Sequence, residues 1–304
     1  MKNILKNLAV IAPSGYLDEC SNLDYSKKYF FKKGFNLHSY FCFSGKFERF
    51  AARDEERLNN LHNAVKNKNV DLVMALRGGY GLSRLLPNID FELLANSKKL
   101  FIGYSDFTVL QLAMLSQTGT ITFSGPMIYN DFLSNDISEF TSSNFWNCIL
   151  KDRIEFRVNE SQSHNLEIKG TIWGGNLSII NHLSGTKWLP IINDGILFVE
   201  DINEHPYRIE RMILQLYHSG ILDMQKAIIF GEFSGYKISK IDNGYNFDSM
   251  LNYLQNLIKI PILKGLPVGH IKDKLTLPIG AKCKIKVDNL GFNLNIYDYP
   301  YLIF

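Results

Sequence analysis

Cysteine is scarce in this sequence and never paired. Only Cys20, Cys42, Cys148 and Cys283 occur in 304 residues, far apart and without a C-x-x-C spacing. That argues against a zinc knuckle, a thioredoxin-type redox motif or a secreted disulfide framework, and favours a reducing compartment. Long apolar runs are missing too. The start MKNILKNLAVIAPSG has lysines ahead of apolar residues, but its unbroken run is only Leu8 to Ala12. A secretory h-region needs about 7–15 such residues. Nothing elsewhere approaches the roughly 18 uncharged apolar residues of a membrane span. The expectation is a cytoplasmic protein without a membrane partner. Blocks of one charge sign are absent as well: 33 basic and 30 acidic residues, net +3, are scattered along the chain. No nucleic-acid partner is implied. There is no internal repeat and no low-complexity tract.

What is present is an ordinary globular composition, 46% hydrophobic and 21% charged. At about 150 residues per domain the length suits roughly two domains, with enough buried surface to need no staple. Over the first 130 residues short apolar strands alternate with amphipathic helices. Strands are expected at Leu8–Ala12, Phe35–Tyr40, Asp71–Leu76, Lys99–Gly103 and Ile121–Phe123. Helices are expected at Asn22–Lys33, Asp54–Lys66 and Phe107–Ser116. Such alternation predicts a parallel sheet with helices on both faces, and chemistry in the loops leaving the carboxyl ends of the strands.

Between 131 and 163 the alternation gives way to Ser- and Asn-rich stretches with one helix near Glu139–Leu150. The division expected is an N-terminal α/β domain over 1–135, a linker region over 136–165, and a β-rich α+β domain over 166–304, mixed or partly barrel-like. Strands in the last part are expected at Glu167–Trp173, Gly195–Val199, Ala227–Phe230, Lys282–Val287 and Phe292–Ile296, with helices near Tyr207–Ser219 and Phe247–Ile258.

Three segments carry residues suited to chemistry. In KKLFIGYSDFTVLQLAML, Ser105 stands directly after an apolar strand and directly before a helix. It is either a nucleophile on an elbow, with free helix-start amides nearby for an oxyanion, or an ordinary helix cap. Gly103 leaves room for the turn, but Phe107 occupies the place of the second glycine in G-x-S-x-G. In ALRGGYG at 75–81, Gly78, Gly79 and Gly81 let the backbone turn sharply and approach a ligand. The loop either supplies oxyanion amides or simply connects strand to helix; it fits neither a P-loop nor G-x-G-x-x-G. Arg77 at its mouth either forks onto a substrate carboxylate or pairs with a surface acid.

In ILFVEDINEHPYRIERMILQL an apolar strand ends on Glu200 and Asp201. Such an acid either orients a histidine or caps the helix that follows. Glu204 and His205 lack H-E-x-x-H or any dense ligand spacing, so no metal is expected. Of the histidines, His38, His62, His182 and His218 fall on strands or helices and His164 in the linker, whereas His270 sits in a turn after Gly269. Taken together, Ser105, Glu200 and His270 follow the Ser, acid, His order of α/β-type serine hydrolases.

With those residues in place the sequence resembles the LD-carboxypeptidases, a family of serine peptidases. The likeness runs through IAPSGY at 11–16, RFAARDEERL at 49–58, LRGGYGLSRLL at 76–86, GYSDFT at 103–108, TFSGPM at 122–127, GTIWGGNLS at 170–178, EDINEHPYRIERMILQLYHSGIL at 200–222, KAIIFGEFSG at 226–235 and GHIKDKLTLPIGA at 269–281. One departure is local: Ala51, Ala52 and Arg53 stand where many relatives have a Thr after an RFAG stretch. The resemblance implies Ser105 as nucleophile, His270 as general base and acid, and Glu200 as its orienting partner. It implies oxyanion donors at the amides of Asp106 and Gly79, no cofactor or metal, a homodimer of two-domain subunits, and a murein tetrapeptide substrate losing its terminal D-alanine. For the alanine carboxylate, Arg77 or a Trp173–Asn176 loop is the expected cradle. The alternatives are the branch of the family that cleaves a peptide–nucleotide antibiotic, and a muropeptide binder that cuts nothing.

Overall fold

The computed structural model describes residues 5–17, 22–160 and 165–303. Cys20 and His164 lie outside the described residues. Among the described residues the strands form two sheets, one of six strands and one of seven.

The first sheet contains β1 (Lys6–Ile11), β2 (Phe35–Ser39), β3 (Leu72–Ala75), β4 (Leu100–Gly103) and β5 (Thr122–Ser124). Their spatial order is β5-β4-β3-β1-β2, all parallel. β3 and β4 bury every residue, so both faces of the sheet are covered, as continuous apolar runs such as LVMA and LFIG require. Parallel neighbours need long crossovers, supplied here by helices Asp24–Lys32, Asp54–Lys66, Phe91–Asn96 and Thr108–Thr118. Loops 12–17, 76–81 and 104–107 therefore gather at the carboxyl ends of β1, β3 and β4.

The second sheet contains β6 (Arg153–Val158), β7 (Leu166–Asn176), β8 (Gly195–Ile202), β9 (Gln225–Ser234), β10 (Ile262–Lys264), β12 (Lys282–Asp288) and β13 (Gly291–Tyr297). Its order is β10-β9-β8-β7-β12-β13-β6. The β7 to β10 part is parallel, and β8 is buried along nearly its whole length. The β12, β13, β6 part is antiparallel and alternates buried with exposed residues, as KCKIKVD predicts from its period of two. The two edges approach each other: Lys264, the last residue of β10, reaches Glu160 beyond β6, Nζ to Oε1 3.5 Å.

Several features were not expected from the sequence, among them β10 and the helices Phe91–Asn96 and Leu177–Leu183. β11 (Leu277–Ile279) belongs to the C-terminal part of the chain but pairs antiparallel with β5 as the sixth strand of the first sheet. The stretch 136–165 holds β6 beside the expected helix Glu139–Leu150. That helix packs firmly, with Trp146 ring centroids 5.3 Å from Phe35 and 5.8 Å from Phe30.

Candidate active site

Ser105 leaves β4 with φ +62°, in the left-handed region that a β-carbon disfavours. It opens a 3-10 turn, Ser105–Phe107, which runs directly into helix Thr108–Thr118. This sharp strand-to-helix turn lifts the hydroxyl to the sheet edge and leaves the first helical amides free of intrahelical partners. Tyr104 and not Ser105 occupies the N-cap position of this turn, and Phe107 that of the helix, so Ser105 is not a plain N-cap. The glycine loop after β3 lies against it: a β-carbon on Gly78 would sit 2.9 Å from both Cβ and Oγ of Ser105 and 3.6 Å from the Asp106 nitrogen. Only glycine permits that approach.

The side chain of Asp106 points away from the turn and ties the loops together. Its Oδ2 accepts from Ser14 Oγ at 2.6 Å and from the Leu82 amide at 3.0 Å, joining the ends of β1, β3 and β4. Burial pushes its carboxyl above the usual range. Beneath the same loops the buried Arg57 guanidinium donates to the Pro13 carbonyl and to Asp54.

Glu200 arises from β8 opposite an irregularity in β9. Val199 pairs with Phe230, but Asp201 pairs with Phe233, so β9 carries one extra residue there. This bulge turns the Glu232 amide outward to the Val268 carbonyl, 2.9 Å away, and so anchors the segment that carries His270. Gly269 follows at φ +126°, where an added β-carbon would meet Glu200 Oε2 and Cβ at 3.2 Å. His270 Nδ1 then lies 2.9 Å from Glu200 Oε2, with the glutamate side chain 3% exposed and the imidazole 14%. The imidazole also packs edge-to-face on Tyr104, the residue just before Ser105, at 5.0 Å between centroids. Glu200 and His270 are thus in direct contact, and the His270 ring packs on Tyr104, the sequence neighbour of Ser105.

The remaining candidates divide. Arg77 stays at the loop mouth, its Nη1 donating to the Tyr16 carbonyl at 3.1 Å and its guanidinium lying 4.8 Å over the Tyr129 ring. Trp173 does not reach the site. It is fully buried within β7, its Nε1 donating to Gln225 Oε1 at 2.8 Å, at the end of the sheet where β8 and β9 begin. The Trp173–Asn176 segment is strand rather than loop, because Gly174 and Gly175 serve close packing: a β-carbon on Gly175 would meet Thr108 Oγ1 at 2.7 Å. Asn176 stands at the strand end but is already engaged. Its Oδ1 accepts from Ser178 Oγ and the Ile179 amide, capping helix Leu177–Leu183, and its Nδ2 donates to Asp201. Glu204 pairs with Arg208, and His205 caps helix Pro206–His218 while facing Asp242 at 3.2 Å. No cluster of three or more metal-ligating side chains occurs among the described residues.

A feature that sequence reasoning missed lies beside His270. A cavity of about 360 Å³ is walled by Tyr104 and His270, by Asn130 and Asp131 from a turn of π-helix at Ile128–Phe132, and by Lys272 and Lys274. Lys274 donates to Asp131, both nearly inaccessible, and its ammonium lies 5.0 Å over the Tyr104 ring. Burial raises the Asp131 carboxyl even with that cation beside it. The pairing spans 143 positions, so no local pattern announces it.

Known proteins share this fold. Residues 8–125 match the family model described as the LD-carboxypeptidase N-terminal domain, and residues 169–285 the LD-carboxypeptidase C-terminal domain. A probable murein peptide carboxypeptidase of Bacillus subtilis is 33% identical over 237 residues, covering 76% of this chain and 74% of that one. The crystal structure of a muramoyltetrapeptide carboxypeptidase from Oxalobacter formigenes superposes with a TM-score of 0.92 at 45% identity, over 97% of this chain and 100% of that one. The microcin C7 self-immunity protein MccF, solved with aspartyl sulfamoyl adenosine, shares the fold at a TM-score of 0.87 and 23% identity, over 98% of each chain. The chain belongs to the LD-carboxypeptidase family.

Proposed function

We propose that this LD-carboxypeptidase hydrolyses the bond between meso-diaminopimelate and the terminal D-alanine of murein tetrapeptides, through a Ser105–His270–Glu200 triad. The observation that carries the reading is the 2.9 Å contact of Glu200 with His270 Nδ1, on an imidazole packed against the residue preceding the left-handed Ser105. That contact leaves Nε2 as the ring nitrogen for proton transfer.

In this mechanism His270 takes the Ser105 proton as Oγ attacks the amide carbonyl, and the carbonyl electron pair moves onto oxygen. The Asp106 and Gly79 amides receive that oxyanion, each contributing roughly 3 kcal/mol. The tetrahedral species collapses, the C–N bond breaks, and His270 returns the proton to the departing amine. Water, deprotonated by the same imidazole, then cleaves the acyl-serine ester. Glu200 holds the tautomer and stabilises the imidazolium. Arg77, which has no carboxylate partner among the described residues, is the cation we assign to the carboxylate of the leaving alanine. We place the reaction in the cytoplasm, within peptidoglycan recycling, and expect a homodimer.

Mass spectrometry of a tetrapeptide incubated with the purified protein tests this, with Ser105→Ala and a chelator-treated sample in parallel. Loss of one alanine with untreated and treated protein, but not with the variant, is the expected result. No cleavage of the tetrapeptide, with hydrolysis of an aminoacyl sulfamoyl nucleoside instead, would transfer the chain to the antibiotic-cleaving branch.

A further inference from the structure

The cavity beside His270 is larger than an alanine needs, since that residue presents only a methyl group and a carboxylate. Its floor is unusual in holding a buried cation and a buried anion side by side, Lys274 and Asp131. A ligand carrying an anion alone would gain from Lys274 and be repelled by Asp131; a lone cation would meet the reverse. A group that bears both charges is the one such a floor favours. Lys274 gives one donor to Asp131, and an ammonium carries three, so it keeps capacity for a further acceptor. Asp131 spends its other oxygen on the Met127 amide, 2.8 Å away, which fixes the carboxylate within the π-turn. Nearer solvent, the exposed Lys272–Asp136 pair repeats the arrangement at 2.6 Å.

We infer that this cavity is the subsite for the side chain on the acyl side of the scissile bond, and that it selects a side chain ending in both an ammonium and a carboxylate. Asp131 receives the ammonium and Lys274 the carboxylate. The inference rests on the carboxypeptidase reading above and adds to it the residues that set the third position of the peptide. The side chain of diaminopimelate ends in this way, whereas lysine lacks the carboxylate.

The test compares D-alanine release from three tetrapeptides that differ only at the third residue: meso-diaminopimelate, the same residue with its side-chain carboxylate amidated, and L-lysine. With the wild-type protein kcat/KM should fall about 10- to 100-fold from the first peptide to either of the others, the span of a lost charge-assisted hydrogen bond. In Lys274→Met the ratio between the diaminopimelate and lysine peptides should collapse toward one. Equal kcat/KM for all three peptides with the wild type would overturn the subsite and leave the carboxypeptidase reading standing. A Lys274→Met variant that slows every peptide by the same factor would also overturn it, because the lysine would then serve a group common to all. Absence of alanine release from all three would remove the carboxypeptidase reading, and the subsite with it. The peptide comparison needs only the wild-type protein, so it stands even if the variant does not fold.

Discussion

Glu200 and Asp201 are consecutive on β8 yet work on opposite sides of the strand. Glu200 meets His270, while Asp201 accepts from Asn176 Nδ2 at 2.9 Å and from the Ser178 amide at 2.8 Å. Alternation along a strand separates the two carboxylates and gives one to the imidazole and the other to the start of helix Leu177–Leu183. Their closeness still has an electrostatic cost. Burial first, and the Glu200 charge second, push the Asp201 carboxyl up to about 6.

That shift predicts a pH dependence of stability. An acid whose pKa is raised on folding holds its proton more tightly in the native state, so its contribution is full below about pH 4 and is lost as pH rises through about 6. The loss amounts to about 3 kcal/mol. Urea unfolding at pH 4 and pH 7 should show the wild type losing roughly 2–3 kcal/mol more than Asp201→Asn over that interval. Parallel losses in the two proteins would show that another group titrates.

Ser105→Gly should separate strain from chemistry. Glycine removes the penalty of φ +62°, roughly 1 kcal/mol, so the thermal midpoint should rise by about 2 °C. Activity should fall at least about 10⁴-fold with the proposed nucleophile gone. A lower midpoint would show that Ser105 makes stabilising contacts that outweigh its backbone strain.

Gly78→Ala places a methyl group where Ser105 Cβ and Oγ already lie at 2.9 Å. One of the two loops must shift, and a displacement on the order of 1 Å at the nucleophile costs about 100-fold in kcat. Steady-state kinetics with the tetrapeptide measures this. An unchanged kcat would mean that the Gly78 loop moves freely and does not support the nucleophile.

Asp106→Ala strips Ser14 and the Leu82 amide of their shared acceptor while leaving the backbone amide of residue 106 in place. Two buried donors lose their partner, so the variant should unfold about 2–4 kcal/mol more easily. Ser14→Ala removes only one donor of the set and should cost about 1 kcal/mol. Equal costs for the two substitutions would show that the Leu82 contact contributes nothing.

Much of this was legible in the chain. Asp54–Lys66 and Glu139–Leu150 appear at their expected bounds because helical periodicity is written into each. Ser105, Glu200 and His270 stood out because each ends a strand or sits in a turn where periodicity offers no packing reason for it. Other features were hidden for physical reasons. Gly174 and Gly175 read as a loop from composition, whereas they thin a strand, Gly174 against the β8 backbone at Phe198 and Gly175 against Thr108 at the start of helix Thr108–Thr118. β11 contains Pro278 and only three residues, too short for an alternation to register. The Lys274–Asp131 floor depends on tertiary closeness between distant segments, which spacing along the chain cannot express.

β11 also bears on how the protein is made. Until Leu277–Ile279 leaves the ribosome, β5 ends the first sheet with its outer backbone groups unpaired, even though every parallel strand of that sheet has already been synthesised. His270 emerges only seven residues ahead of Leu277, so the proposed triad and the closing strand become available at nearly the same moment of translation. A nascent chain stalled before that point carries a sheet edge open to other chains. The last strand to join this sheet therefore covers an edge otherwise open to aggregation.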